Sequence, residues 1–389
     1  MRRRMDRPFL GSLGRTERAV LRELLVRGPL PRADLARRLG LSPASITKTA
    51  RTLLSNGSIT EISAPGSDSR GRPGTPVDMA VDAYHFVGVK ITGDQAFAVR
   101  TNAAGAVLAS THRPLTDTAV EPVVSLIIQL VNELSRDHPV ESVGIGMAGT
   151  MDRFDTQVRN NLYLGWQDVP LAGMVQERTG LATVISGDVR ALTAGVHWAG
   201  PGRELEDFAV VTIGVGIGMG LVLGGETVAG VAGGVGRIAH TRVSDSGPAC
   251  GRGHRGCAAA YLEAGPIVRA VAYAHARPQL DLEAVCELAA AGDPAALSVL
   301  EDTARALGIV LAGLVNVLGL PAVVLAGDGL CVLEHTRPVL DRALTEHLDP
   351  DADPPVVHFY ASDFDEWARG AAVLACQWLL IDPPAEPVR

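Results

Sequence analysis

The residues best placed to do chemistry come early in the chain. Ser45, Thr47, Lys48 and Arg51, together with Ala44, fall on the outward side of one helical stretch. Lysine and arginine reach backbone phosphates or a guanine edge, and the two hydroxyls serve either partner. No acidic residue interrupts that face. Arg70-Gly71-Arg72-Pro73 follows, a compact basic tetrapeptide in which Pro73 restricts Arg72 to extended geometry. Such a segment suits a narrow A·T minor groove, where the potential is most negative. Its plainer alternative is a solvated turn between two strands. A third group runs Thr212-Ile213-Gly214-Val215-Gly216-Ile217-Gly218-Met219-Gly220. Glycines behind a strand let backbone N–H groups approach a phosphate, although such a run alone is not specific.

The basic residues need a scaffold, and the hydrophobic periodicity supplies one. A helix from Thr16 turns Ala19, Val20, Leu24 and Leu25 inward and stops at Gly28-Pro29. Pro31 opens a second short helix through Leu35 and Leu39, ended by Gly40. Ser42 is a good N-cap with Pro43 at the first helical position, so a third helix runs to about Ser55. Its inward residues are Ile46, Ala50, Leu53 and Leu54, and Asn56-Gly57 closes it. A strand over Ser58–Ser63, a polar loop Ala64–Pro76 and a return strand Val77–Met79 complete the pattern. Three short helices and a hairpin predict a winged helix-turn-helix over residues 1–82, with its wing loop at 64–76. One such unit buries too little surface for useful specificity. A dimer reading an inverted repeat in double-stranded DNA is therefore expected.

Net charge first argues otherwise, since the 389 residues sum to −8. Residues 1–80, however, hold 15 basic against 7 acidic side chains, a net of +8. The remainder holds 20 against 36, a net of −16. A basic head on an acidic body is the asymmetry of a chain that meets a polyanion at one end. Hydrophobic residues at 47% and charged ones at 20% exclude large-scale disorder. No stretch of about 18 apolar residues is unbroken, so no membrane association is expected. The basic N-terminus has no apolar run behind it, which argues against a secretory signal. Five cysteines in so long a chain predict no disulfide framework. The cytoplasm is the expected location.

From about residue 84 the texture changes. Apolar runs at Phe86–Ile91, Ala96–Thr101, Ser142–Met147, Thr183–Ile185, Phe208–Ile213 and Ala322–Leu325 alternate with longer helical patterns, an α/β signature. Leu297–Leu318 reads as a long apolar helix and Asp363–Leu380 as a closing one. No short repeat is evident.

Three segments, taken in order, give these runs a familiar shape. They are Asn161-Leu162-Tyr163-Leu164-Gly165-Trp166 with Val169-Pro170-Leu171, the glycine run 212–220, and Ala232–His240 followed by Gly247–Cys257. Together they resemble the ROK family of repressors, open reading frames and sugar kinases, over about residues 84–380. The head resembles the family's regulator branch, including Gly71-Arg72-Pro73 in the wing. The resemblance implies an actin-like (ribonuclease H-like), two-lobed ATPase/sugar-kinase fold over 83–389. Its small lobe would span about 83–195 with a closing helix at 363–380, and its large lobe about 196–362. It also implies a sugar site in the cleft and a homodimer at least, with a tetramer left open.

Departures from the family's kinases bear on activity. Their Asp-x-Gly-Gly-Thr phosphate loop reads Lys90-Ile91-Thr92-Gly93-Asp94 here, and their Gly-Thr-Gly reads Gly214-Val215-Gly216. A carboxylate beside a polyphosphate is repulsive, so nucleotide binding should be poor. The Asn-Asp pair whose Asp deprotonates the sugar hydroxyl is Gly187-Asp188, leaving Asp188 as a vestigial base without its amide neighbour. Arg237 and Ala259 stand where the family has sugar-binding glutamates. The resemblance thus assigns an effector set of Asn161, Gly187, Asp188, Arg237 and His240 in a non-catalytic cleft. A bifunctional kinase with an appended head is the alternative. The family's structural zinc is held by one His and three Cys. Here His240, Cys250 and Cys257 match, but Arg252 replaces the middle cysteine, so a fourth ligand is missing unless neighbouring His254 substitutes. Without zinc, Cys250 and Cys257 would be free thiols or a redox pair.

Overall fold

The computed structural model describes residues 9–62, 75–228 and 235–381. The chain divides into two compact units, Met1–Ala199 with Trp367–Arg389, and Gly200–Glu366.

The first unit begins with the three expected helices, Arg15–Arg27, Arg32–Arg38 and Pro43–Ser55. The last starts where its sequence requires: the Ser42 hydroxyl accepts from the Ser45 N–H at 3.2 Å, and Pro43 needs no N–H partner at the first position. Between the second and third helices Gly40 takes φ +63°, a left-handed conformation that a Cβ would penalise, and Leu41 N–H closes the turn on Ala36 O at 2.9 Å. The wing strands Ile59–Glu61 and Pro76–Met79 pair as a hairpin, and a short strand Leu30–Pro31 adds to the other side of Pro76–Met79. Sequence periodicity misses that third strand, because two residues cannot show an alternation. Two inward positions also differ: Leu21 and Thr49 are buried, whereas Ala19 and Leu54 are only partly so.

The head does not stand apart from the body behind it. Leu10, Leu24, Leu35, Ile46 and Leu53 form one continuous core with Tyr84, Phe86, Ala372, Cys376, Leu379 and Leu380. Backbone joins too, since Leu10 N–H donates to the buried Glu141 carboxylate at 2.7 Å. Each fully buried leucine contributes ~1.5–3 kcal/mol, so several such contacts fix the head on its neighbour.

Behind the head lies a five-stranded sheet in the order Ala182–Gly187, Ser142–Met147, His85–Ile91, Gln95–Asn102, Val107–Pro114. The first three strands in chain order form an antiparallel meander, and the later two add in parallel beside His85–Ile91. The helix Phe364–Ile381 packs on this sheet with almost no space between backbones. A Cβ at Gly88 would lie 1.9 Å from Ala368 O, and one at Gly144 would lie 1.9 Å from Ala371 O. The glycine and alanine richness of the chain thus has a structural use, in layers too close for larger side chains.

The second unit repeats the plan. Its sheet runs Glu226–Thr227, Gly218–Leu223, Phe208–Thr212, Ala322–Ala326, Val356–Phe359, again an antiparallel meander followed by two parallel additions. Its core packs against the 25-residue helix Pro294–Leu318, which Asp293 caps by accepting from the Ala296 N–H at 2.8 Å. One disulfide joins Cys286 to Cys331. Cysteine number predicts no framework of several bonds and does not point to this one, because the fold brings together two cysteines that the sequence separates by 45 residues. Among the described residues no helix is long and apolar enough to cross a membrane.

Candidate functional site

On the third head helix, Ala44, Thr47, Lys48 and Arg51 are exposed and Ser45 is half-buried, while Ile46, Thr49, Ala50 and Leu53 turn inward. Thr47 donates its hydroxyl to Pro43 O at 2.7 Å, which leaves the oxygen's lone pairs facing outward as acceptors. The predicted minor-groove residues Arg70 and Arg72 lie outside the described residues.

In the first unit the sheet register accounts for the geometry around Asp188. Lys90 pairs across the parallel ladder with Gly146, and Gly146 with Ser186. Residues in register on parallel strands share a face, and Gly146 has no side chain to obstruct the lane between them. Lys90 Nζ therefore reaches Asp188 Oδ2 at 2.5 Å, and the other carboxylate oxygen accepts from the Val189 N–H at 2.9 Å. The lysine side chain is 6% exposed and the aspartate 19%. Trp367, at the start of the closing helix, lies under the ammonium, 4.8 Å from ring centroid to Nζ. The tryptophan was not among the sequence candidates, because nothing in its neighbourhood marks it. A general base must have a free lone pair aimed at the proton it removes. Here each oxygen of Asp188 already accepts one bond, one from the Lys90 ammonium and one from the Val189 N–H.

Other expected positions separate by role. A Cβ added at Gly187 would meet nothing within 4 Å, so the amide absent there leaves open space beside Asp188. Asn161 is buried, and its side-chain oxygen accepts from the N–H groups of Tyr163 and Leu164 at 3.0 Å each. It braces its own turn. Asp94 is exposed and accepts the Thr92 hydroxyl at 2.8 Å, which closes the hairpin after His85–Ile91.

In the second unit, Gly214 follows the strand Phe208–Thr212 by two residues, beside the loop Gly327-Asp328-Gly329. An added Cβ at Gly214 would fall 1.7 Å from Asp328 Oδ1. A carboxylate thus stands against this glycine loop, where it would repel a phosphate. Arg237 is exposed.

The strongest local constellation is one the sequence left incomplete. His240, Cys250, His254 and Cys257 bring their donor atoms within 4.8 Å of one another. His240 Nδ1 lies 3.9 Å from Cys250 Sγ and 3.8 Å from Cys257 Sγ. A tight hairpin explains how the missing ligand is supplied. Cys250 N–H donates to His254 O at 2.8 Å and Gly253 N–H to Cys250 O at 2.9 Å, so the chain folds back and sets His254 opposite Cys250. Arg252 stays at the exposed apex. Partial desolvation, with the charges of His254 and Arg252, holds the His240 imidazole below its ordinary value, in the neutral form a metal requires. Tetrahedral zinc, with ~2.3 Å bonds to sulfur and ~2.0 Å to nitrogen, places its donors ~3.3–3.8 Å apart. The donor set suits that ion, and the two His240–thiol separations lie close to this spacing. His254, the substitute that the sequence offered at the Arg252 gap, lies with the other three donors, and so does His240, which the sequence assigned to both effector and metal.

A winged helix in front of a duplicated sheet whose units carry glycine-rich loops defines a regulator-like head on an actin-like kinase body. Residues 86–377 match the ROK family and residues 13–67 the MarR family. The chain belongs to the ROK family, with a MarR-type winged helix at its N-terminus. It is similar to the xylose repressor of Bacillus subtilis, 24% identical over 346 residues that cover 88% of either chain. It is also similar to a glucokinase of Streptomyces coelicolor, 29% identical over 263 residues, 63% of this chain and 81% of that one. Among solved structures, a ROK family transcriptional regulator described as a homologue of the Escherichia coli MLC protein superposes with a TM-score of 0.81 at 22% identity, over 94% of this chain and 96% of its own.

Proposed function

We propose that this chain is a DNA-binding transcription regulator, a repressor that senses a sugar or sugar-derived effector and catalyses no phosphoryl transfer. The observation that carries the reading is the joint presence of a complete helix-turn-helix and a base candidate, Asp188, held by Lys90. Residues 1–82 act as the reader and 83–389 as the sensor. Ser45, Thr47, Lys48 and Arg51 face the major groove, and Arg70 and Arg72 of the wing loop face the minor groove. Two copies, in a dimer or a tetramer, read an inverted repeat. The effector is bound at Asp188 and the open space beside Gly187. It changes operator affinity only by its differential affinity for the two states of the protein. His240, Cys250, His254 and Cys257 hold a structural zinc, which supplies a crosslink to the segment and takes no part in a reaction.

Gel-shift titration at moderate salt against the chain's own promoter region tests the reading, and failure to bind any local inverted repeat overturns it. Lys48→Ala or Arg51→Ala should weaken binding about evenly across sequences and lower the salt slope by about 1. Unchanged operator affinity in both variants would place the recognition face elsewhere. For the bifunctional alternative, a coupled assay over a sugar panel should give no ATP-dependent turnover. Turnover that Asp188→Asn abolishes would establish a kinase instead.

A further inference from the structure

The Cys286–Cys331 bond has no counterpart in the site described above, and its placement gives it a use. Cys286 lies on the helix Leu282–Ala290, and Cys331 in the turn Leu330–Leu333, with Cα atoms 6.1 Å apart. That separation needs no backbone movement for a disulfide. Both elements are anchored in the unit's core, by Val285 and Ala289 on one side and Val332 and Leu333 on the other. Both cysteines are half-buried, accessible to a small reagent at the rim of the core. Cys331 also lines a cavity of about 390 Å³ with Gly327, Asp328, Leu330, Ser362 and Asp363. The loop bearing Asp328 is tied to the glycine-rich strand by Gly329 N–H to Ile213 O at 2.9 Å. A bond at Cys331 therefore fixes one wall of the cavity and the loop that abuts Gly214.

We propose that Cys286 and Cys331 form a reversible thiol–disulfide switch that fastens this wall when oxidised and frees it when reduced. The oxidant is a low-molecular-weight disulfide of the glutathione class. One protein thiolate attacks it, forming a mixed disulfide and releasing one small thiolate. The second protein thiolate then attacks the protein sulfur of that mixed disulfide, closing Cys286–Cys331 and releasing the other small thiolate. Two protein thiols are oxidised, one small disulfide is reduced to two thiols, and the protons leave with the thiols. The inference does not depend on the regulatory reading. The remaining cysteines stand outside the exchange: Cys376 is fully buried, which pushes its thiol up, and Cys250 and Cys257 belong to the metal cluster.

The test uses the full chain equilibrated in glutathione buffers from reducing to oxidising, quenched with an alkylating agent and read by peptide mass spectrometry. Cys286 and Cys331 are expected to lose the label together and to appear as one linked peptide, and both to regain the label on return to reducing buffer. Amide hydrogen exchange in Leu330–Leu333 should slow by about tenfold in the oxidised chain. Full labelling at every ratio overturns the proposal, as does a link from either cysteine to Cys250, Cys257, Cys376 or a second chain. Unchanged exchange in the turn overturns the fastening role. In Cys286→Ser, Cys331 should stop at the mixed disulfide and gain one glutathione. A Cys331 that gains none overturns the exchange route.

Discussion

At Asp188 and at the His240–Cys257 cluster the chain departs from its kinase relatives by single residues, yet the fold accommodates the two departures in opposite ways. Lys90, where the family resemblance places an acid, reaches a carboxylate 98 residues away in sequence and pairs with it. Arg252, standing where they keep a thiolate, is bypassed by His254 two residues on, and the donor set is complete again. One replacement pairs with a carboxylate, and the other leaves room for an imidazole to join the cluster. Substitutions taken singly resemble decay. Taken with their spatial partners, they divide into what was given up and what was kept.

A large effect should come from the His240–Cys257 cluster. Cys257→Ser and His254→Ala each remove one donor, and each should weaken zinc binding by about 100-fold, or about 2.7 kcal/mol. Elemental analysis and metal titration would measure this, and a fall in melting temperature should accompany it. Arg252→Ala should leave metal content unchanged. Unchanged zinc affinity in His254→Ala would remove the histidine from the ligand set and restore the gap that the sequence suggested.

The Lys90–Asp188 pair should show an asymmetry of its own. Removing Asp188 strands a lysine that is 6% exposed, so Asp188→Ala should cost ~3–5 kcal/mol in a denaturant titration. Removing Lys90 strands an aspartate that is 19% exposed and keeps the Val189 N–H, so Lys90→Met should cost less, about 1–3 kcal/mol. Lys90→Met with Asp188→Leu should fall well short of the two losses added together, because no charge remains stranded. Additive losses would mean that the pair is not coupled in solution.

How much of this was legible depends on how far apart the partners lie along the chain. The head could be followed from Thr16 to Met79 because caps, turns and inward residues are local features. Ser42, Pro43 and Gly40 each state their role within a few residues. Strands such as Ser142–Met147 were legible as apolar runs. The duplication of the body was not, since it survives as strand order and leaves no repeat in the sequence. The Lys90–Asp188 contact was also hidden. Both residues were singled out, but their meeting depends on a two-strand register and on Gly146 leaving the lane open. Trp367 and the Cys286–Cys331 bond were hidden for the same reason. His254 was the intermediate case, close enough to be named as a substitute but dependent on a hairpin to be placed as one.

The smallest expected effect gives the finest test of what was given up. Gly187→Asn restores the amide that kinase relatives keep beside their base. An added Cβ there meets nothing within 4 Å, so the substitution should change stability by no more than about 0.5 kcal/mol. If the missing amide were what disables Asp188, the variant should gain measurable sugar phosphorylation. If the Lys90 ion pair is the cause, the variant should stay inert, because the carboxylate still has a cation at 2.5 Å and an N–H at 2.9 Å. If proton transfer to Asp188 requires breaking that pair, the cost is on the order of 3 kcal/mol, which slows the step by about a hundredfold. Detectable turnover in Gly187→Asn alone, lost again in Gly187→Asn with Asp188→Asn, would show that the lysine does not hold the site shut.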